Sequence, residues 1–281
     1  MTLPPFDLHR ATSVDEAREL LARHGEDAAV ICGGTELLLL LKLRFAAYGH
    51  LVDIRGICEL GGIRVEEDAL VVGSSVTHRE IERSPEVLER LPSLAAMERR
   101  VANIRVRNVG TLGGNLCFSD PHSDPATYLL VLDAEAEVDG RRLPLSEFIL
   151  GPYQTALPPG ELLASVRIPL PSPDTVLVHR KFAFHERPTA TVTCAVRLED
   201  GAVAEARIAV GAVGVKPVRA PAAERALAGK SAGDAAAVTE AAALAAEAAG
   251  AVDDVKGSAE YKQQLVRVLV QRCFGEATSG R

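Results

Sequence analysis

Tryptophan is absent from this 281-residue chain, and phenylalanine and tyrosine bring aromatics to only 4%. The 31 basic residues are mixed among 38 acidic ones, for a net charge of −7, with no basic stripe and no lysine–arginine cluster interleaved with aromatics. No nucleic-acid partner is expected from such a surface. Cysteine is sparse. Cys32, Cys58, Cys117, Cys194 and Cys273 are scattered, odd in number and include no Cys-x-x-Cys pair. That argues against a disulfide framework and against the closely spaced thiolates of zinc or iron–sulfur sites. Long apolar runs are also missing. The leucine run Leu37 to Leu41 falls far short of the roughly 20 residues that span a bilayer. The opening Met1-Thr2-Leu3-Pro4-Pro5-Phe6-Asp7 has neither the basic nor the apolar region of a signal peptide, so a cytoplasmic protein is expected. No Ser-His-Asp order, no His-Glu-x-x-His and no close carboxylate pair stands out, so no catalytic residue and no metal site is assigned.

What the chain does have is two glycine-glycine segments. The first is Ala28-Ala29-Val30-Ile31-Cys32-Gly33-Gly34-Thr35-Glu36-Leu37, and the second is Asn108-Val109-Gly110-Thr111-Leu112-Gly113-Gly114-Asn115-Leu116. Paired glycines admit positive φ and let a backbone approach a ligand closely. Successive free N–H groups in such a turn form an anion-holding concavity. Each segment also ends in a side chain that donates hydrogen bonds, Thr35 or Asn115. A single Gly-Gly after a strand is commonly only a turn. Two with different polar decoration suggest two walls of a site for a long nucleotide. Neither segment carries Gly-x-Gly-x-x-Gly or Gly-x-x-x-x-Gly-Lys-Ser/Thr, which argues against a Rossmann domain and a P-loop.

Around these segments the pattern reads as mixed helix and strand. Ser13-Val14-Asp15-Glu16 is a capping box and Gly25 a stop, giving a helix over about 14–24 before a strand at 28–32. Residues 36–44 read as a buried leucine-rich helix and 50–54 as a strand, completing a βαβ unit whose glycine turn lies at the strand's carboxyl end. A hairpin follows over 63–73, and a second capping box, Thr77 to Glu80, opens a short helix limited by Pro85. Helices are expected from Ser93 towards Val101 and from Ala126 to Leu132, and strands at 135–138 and 162–168. Pro169-Leu170-Pro171-Ser172-Pro173 is the best linker candidate. Beyond it, alternation at 191–198 and the run 203–213 read as paired strands around Asp200-Gly201. The alanine-rich segment 234–249 reads as a spacer helix, and Tyr261, Leu265, Val268 and Leu269 mark one face of a terminal helix.

The segments "AVICGGTELLLLLK" and "VRNVGTLGGNLCFSDPHSDPATYLLVLDA" resemble the two flavin-binding signatures of the FAD (medium) subunit of molybdenum hydroxylases. The resemblance extends through "PGELLASVRIPLP", "HRKFAFHERPTATVTCAV" and "KGSAEYKQQLVRVLVQR", in the family's order and over nearly the whole chain. It implies an α+β protein with a PCMH-type FAD-binding fold. Residues 1–56 would form a small βαβ subdomain, 57–173 a mixed α/β subdomain, and 174–281 a C-terminal domain of antiparallel sheet with helices. FAD is the implied cofactor. Val30, Ile31, Cys32, Gly33, Gly34, Thr35, Glu36 and Leu37 would hold its pyrophosphate from one side, with Thr35 as hydroxyl donor. Thr111, Leu112, Gly113, Gly114 and Asn115 would face it from the other. Cys32, where relatives carry a small alanine, reads as a packing residue ahead of a covalent flavin attachment. Asp124 would lie near the adenosine part, or else cap the helix that follows it. Leu163 would lie near the flavin ring, a place compatible with an ordinary strand-core leucine. Lys181 would approach the isoalloxazine, where a cation raises the reduction potential. His185 and Arg187 carry no argument beyond proximity, and Val101 stands where some relatives have an aromatic.

The implied activity is electron transfer. Electrons would come from the [2Fe–2S] clusters of a small subunit, themselves fed by a molybdopterin large subunit in a heterotrimer, possibly doubled, and leave to an external acceptor. The runner-up is a stand-alone FAD-dependent oxidase or monooxygenase with the same fold. A third reading is a binding or assembly module without flavin.

Overall fold

The structure is a computed structural model describing residues 2–279. Its first layer is a three-stranded parallel sheet in the order Asp7–Arg10, His50–Asp53, Ala28–Ile31. Helix Val14–His24 crosses over between the first and second strands in sequence, and helix Leu37–Leu43 between the second and third. Ser13 caps the former by accepting from the Glu16 N–H at 3.1 Å. Period-two alternation splits the sheet's contacts between its two faces. Val52 packs with Ala17, Leu21, Ile54 and Leu60, whereas its neighbour Leu51 packs with Ile31 and Leu41. The strand Asp7–Arg10, mostly exposed at the sheet's edge, leaves little hydrophobic pattern and was not anticipated from sequence.

The second layer is a five-stranded sheet in the order Ile63–Glu66, Ala69–Gly73, Leu163–Pro169, Glu135–Val138, Arg141–Pro144, antiparallel at each of its pairings. Helices Pro92–Glu98, Leu112–Phe118 and Asp124–Leu130 contribute to one continuous core on it, with Leu94, Leu116, Tyr128, Val166 and Ile168 fully enclosed. The Pro169–Pro173 stretch then leads to the third sheet, in the order Val176–Phe182, Ala190–Glu199, Ala202–Gly211, Val218–Arg219. That sheet has two packed faces. Ala195 and Ala209 join the core around helix Asp124–Leu130, while Val192, Cys194 and Ile208 join helices Ala235–Ala248 and Ala259–Thr278.

Three expectations need correction. Helix Leu37–Leu43 is not buried, because only Leu41 is enclosed and Leu39 and Leu43 face outward. The alanine-rich helix is no spacer: Ala237, Ala241, Ala242, Ala245 and Ala246 are buried, their small size letting the helix sit close to its neighbours. The terminal helix buries Lys262, Val266, Leu269, Val270, Cys273 and Phe274, so its core face is rotated from the one marked by Tyr261 and Leu265. A fully buried lysine disguised that face. Lys262 is satisfied by Asp254 and by the Val252 carbonyl, both at 2.8 Å. Among the described residues no helix is long and apolar enough to cross a membrane.

Candidate functional site

At the carboxyl end of strand Ala28–Ile31 the chain turns through Cys32, Gly33 and Gly34 into helix Leu37–Leu43. Gly34 takes φ +69°, the left-handed geometry that glycine supplies. Gly33 is glycine for another reason. A Cβ there would overlap the Val109 carbonyl oxygen and stand 2.7 Å from the Gly110 Cα. The two glycine segments therefore meet, backbone against backbone. Among the described residues, the N–H groups of Gly34, Thr35, Glu36 and Leu37 donate to no backbone acceptor. Four successive free donors around a bend are what an anion-binding turn offers.

The second segment is built differently, and here the expected left-handed turn is corrected. Gly113 and Gly114 have no positive φ and lie in the first turn of helix Leu112–Phe118, capped by Thr111. Their amides are already engaged: Leu112 donates to Val76 O and Gly113 to Ser74 O, both at 3.0 Å. Gly114 donates to Thr111 Oγ1 at 3.0 Å and Asn115 to Thr111 O at 2.9 Å. Gly113 is required by packing, since a Cβ would stand 2.5 Å from Ser74 Cβ and 2.6 Å from Ser74 O. One wall thus offers backbone donors. The other offers a flat, Cβ-free surface with side chains, where Ser123 Oγ fixes Asn115 by donating to its Oδ1 at 2.5 Å.

Between them lies a cleft of about 520 Å³, inside the roughly 300–1,000 Å³ range of ligand pockets. Of the residues expected at the site, residues 30–37, Thr111, Gly113, Gly114, Asn115, Asp124 and Leu163 all line it. Two do not. The Leu112 side chain turns into the core, 1% exposed. Lys181 is not in the cleft wall, because its ammonium is held by Asp124 Oδ2 at 2.5 Å and the Arg100 carbonyl at 2.7 Å.

Asp124 is a buried carboxylate at the first position of helix Asp124–Leu130, which Ser123 caps. Burial opposes its charge, but His179, 3.6 Å away, and the Lys181 ammonium outweigh that and hold its carboxyl below the ordinary value. Lys181 fills one oxygen, leaving Oδ1 with no hydrogen-bond partner. Two other cleft atoms share that state, Ser74 Oγ and His122 Nε2. Buried polar atoms are normally paired. A ligand rich in hydroxyls, amides and phosphate oxygens would complete all three.

Several cleft residues escaped the sequence reading. Arg187 donates through Nη2 to both Glu36 carboxylate oxygens at 2.8 Å, with its Nε 3.4 Å from Asp120 Oδ2, closing a polar rim. Its only sequence signal was nearness to Lys181. Phe118, Asp120 and His122 fall inside the second signature segment and His78 inside the Thr77–Glu80 capping box, yet neither pattern gave them a role, and Tyr153 comes from a turn. Burial pushes the Cys32 thiol up, and the Cys117 thiol up to about 12. Neither is a ready nucleophile, since the thiolate is the reactive form.

Fold and cleft together define a dinucleotide-binding flavoprotein module followed by a sheet-and-helix domain. Residues 4–171 match the family described as the FAD binding domain in molybdopterin dehydrogenase, and residues 180–277 match the CO dehydrogenase flavoprotein C-terminal domain. The carbon monoxide dehydrogenase medium chain of Hydrogenophaga pseudoflava is 34% identical over 287 residues, covering 99% of this chain and 98% of that one. The putative xanthine dehydrogenase FAD-binding subunit of Escherichia coli K12 is 34% identical over 226 residues, 77% of each. The solved structure of the Hydrogenophaga pseudoflava carbon monoxide dehydrogenase that lacks the Mo-pyranopterin moiety superposes with a TM-score of 0.95 at 35% identity, covering 99% of this chain and 98% of that one. The chain belongs to the FAD-binding medium subunits of molybdenum hydroxylase-type dehydrogenases. Its cofactor is FAD, and it is an oxidoreductase subunit.

Proposed function

We propose that this chain passes electrons from the [2Fe–2S] clusters of a small partner subunit to an external acceptor, in an assembly whose molybdopterin subunit oxidises the substrate. The carrying observation is where the cleft wall turns outward. Helix Leu37–Leu43 lines the cleft with Leu37 and Leu40, while Leu39 and Leu43 are nearly half exposed and Phe45 just beyond is 79% exposed. Clustered large apolar side chains on a surface suit a protein partner.

Bound FAD supplies redox chemistry that no side chain here offers. The chain's own residues bind and tune it. The free amides of Gly34 to Leu37 and the Thr35 hydroxyl fit the pyrophosphate, and Asn115, fixed by Ser123, fits from the opposite wall. Asp124, kept ionised by Lys181 and His179, accepts hydrogen bonds through Oδ1. Ile31, Ile54, Val101 and Leu163 exclude water. The test is to mix the purified chain with the iron–sulfur and molybdopterin proteins and follow its flavin absorbance on adding substrate. Bleaching that requires both partners is the expected result. Turnover of an organic substrate with oxygen by this chain alone, at ordinary enzymatic rates of about 1–10³ s⁻¹, would replace this reading with a stand-alone oxidase or monooxygenase.

A further inference from the structure

Three of the chain's seven histidines, His9, His24 and His50, meet at one place away from the cleft. Their sequence separations hide this, since each comes from a different element. His9 lies in the edge strand Asp7–Arg10, His50 opens the central strand His50–Asp53, and His24 ends the helix Val14–His24. The register sets Asp7 beside His50 and His9 beside Val52, so both histidines share the sheet face that this helix covers. His9 Nε2 and His50 Nδ1 are 3.1 Å apart, and the His24 and His50 ring centroids are 3.7 Å apart. One nitrogen from each of the three rings lies within 4.8 Å of the other two.

Among the described residues, no carboxylate hydrogen-bonds to any of these rings; Asp7 Oδ2 is 3.7 Å from His50 Nδ1. When neutral, His9 and His50 share one N–H···N hydrogen bond; when protonated, the three half-buried rings repel. A tetrahedral zinc ion with nitrogen ligands at about 2.0–2.1 Å sets neighbouring nitrogens about 3.4 Å apart, near the 3.1 Å between His9 Nε2 and His50 Nδ1 and within the 4.8 Å that bounds the three rings' nitrogens. We propose that His9, His24 and His50 form a site for a divalent transition-metal ion of the zinc type, with water in the fourth position. The ion would join the edge strand, the central strand and the first helix. The site lies away from the cleft, because His50 is at the amino end of its strand, opposite the end where the parallel neighbour runs into Gly33.

The charged groups facing the cluster are Asp7 near His50, and Arg23 and Asp27 near His24. Burial and the neighbouring His50 and His9 lower the His24 pKa, favouring the neutral, ligating form.

The test is calorimetric titration of zinc chloride into the full-length, flavin-loaded, chelator-treated chain. One ion per chain with a Kd in the low micromolar range or tighter is expected. His9→Ala, His24→Ala and His50→Ala should each weaken binding at least about tenfold, while His185→Ala, an exposed control, should not. Zinc should also raise the wild-type melting temperature, an increment the three variants lose, with flavin absorbance unchanged throughout. No saturable binding up to about 100 µM, or wild-type affinity in all three variants, overturns the proposal.

Discussion

Replacing Gly33 by alanine places a Cβ against the Val109 carbonyl oxygen, 2.7 Å from the Gly110 Cα and 3.0 Å from the Val109 carbonyl carbon. All three are backbone atoms of the second glycine segment, so no side chain can swing aside and the two segments must move apart. Overpacking of this kind costs roughly 1–3 kcal/mol. The segment that holds Gly33 also carries the four free amides that line the cleft, so relieving the clash misplaces those donors and up to that much is lost from FAD binding. At about 1.4 kcal/mol per tenfold, the expected loss in FAD affinity is about 5- to 150-fold. The assay is FAD titration of the apo-protein, followed by flavin fluorescence, beside a circular dichroism spectrum that stays near wild type. Gly114→Ala is the matched control, because its Cβ would meet only Thr111 Oγ1, at 2.9 Å. It should weaken binding less. Wild-type FAD affinity in Gly33→Ala would refute the idea that the meeting of the two segments shapes the cleft.

Four further outcomes follow from the same geometry. Asp124→Asn leaves the half-buried Lys181 ammonium beside a neutral amide, with the Arg100 carbonyl as its remaining partner, and should cost about 1–3 kcal/mol in urea unfolding. Because Asp124 has a depressed folded pKa, its stabilisation is complete above the unfolded value of about 4 and is lost as pH falls through the depressed one; urea unfolding of the Asp124→Asn variant across that range should lack this part of the acid dependence. Leu43→Glu, on the exposed face of its helix, should change stability by less than about 0.5 kcal/mol yet weaken association with the partner subunits, as size-exclusion chromatography would report. Alkylation at pH 8 followed by mass spectrometry should label exposed Cys58 early and leave Cys117, with its thiol raised to about 12, unlabelled in the native chain.

Sequence alone made visible whatever follows from local pattern. The capped helix before Ala28, the βαβ unit, the hairpin around Glu67-Asp68 and both glycine segments stand where periodicity and capping residues put them. It could not distinguish the two glycine pairs, because whether an amide is free depends on what it meets in space. Only the fold brings the amides of Leu112 and Gly113 onto Val76 and Ser74. Lys181 likewise looked free to reach a cofactor, and its pairing with Asp124 joins a strand of the third sheet to the start of helix Asp124–Leu130. Arg187 and the His9, His24 and His50 group were invisible for the same reason, their partners being distant along the chain.

The central claim is that the cleft between the unlike glycine segments holds a full dinucleotide without a covalent bond. The most direct measurement is acid precipitation of the purified chain with identification of the released nucleotide. One equivalent of FAD in a yellow supernatant is predicted, since two walls line the cleft and burial suppresses the Cys32 and Cys117 thiolates. Colour retained in the pellet, FMN in place of FAD, or a colourless chain that takes up no FAD would contradict the account.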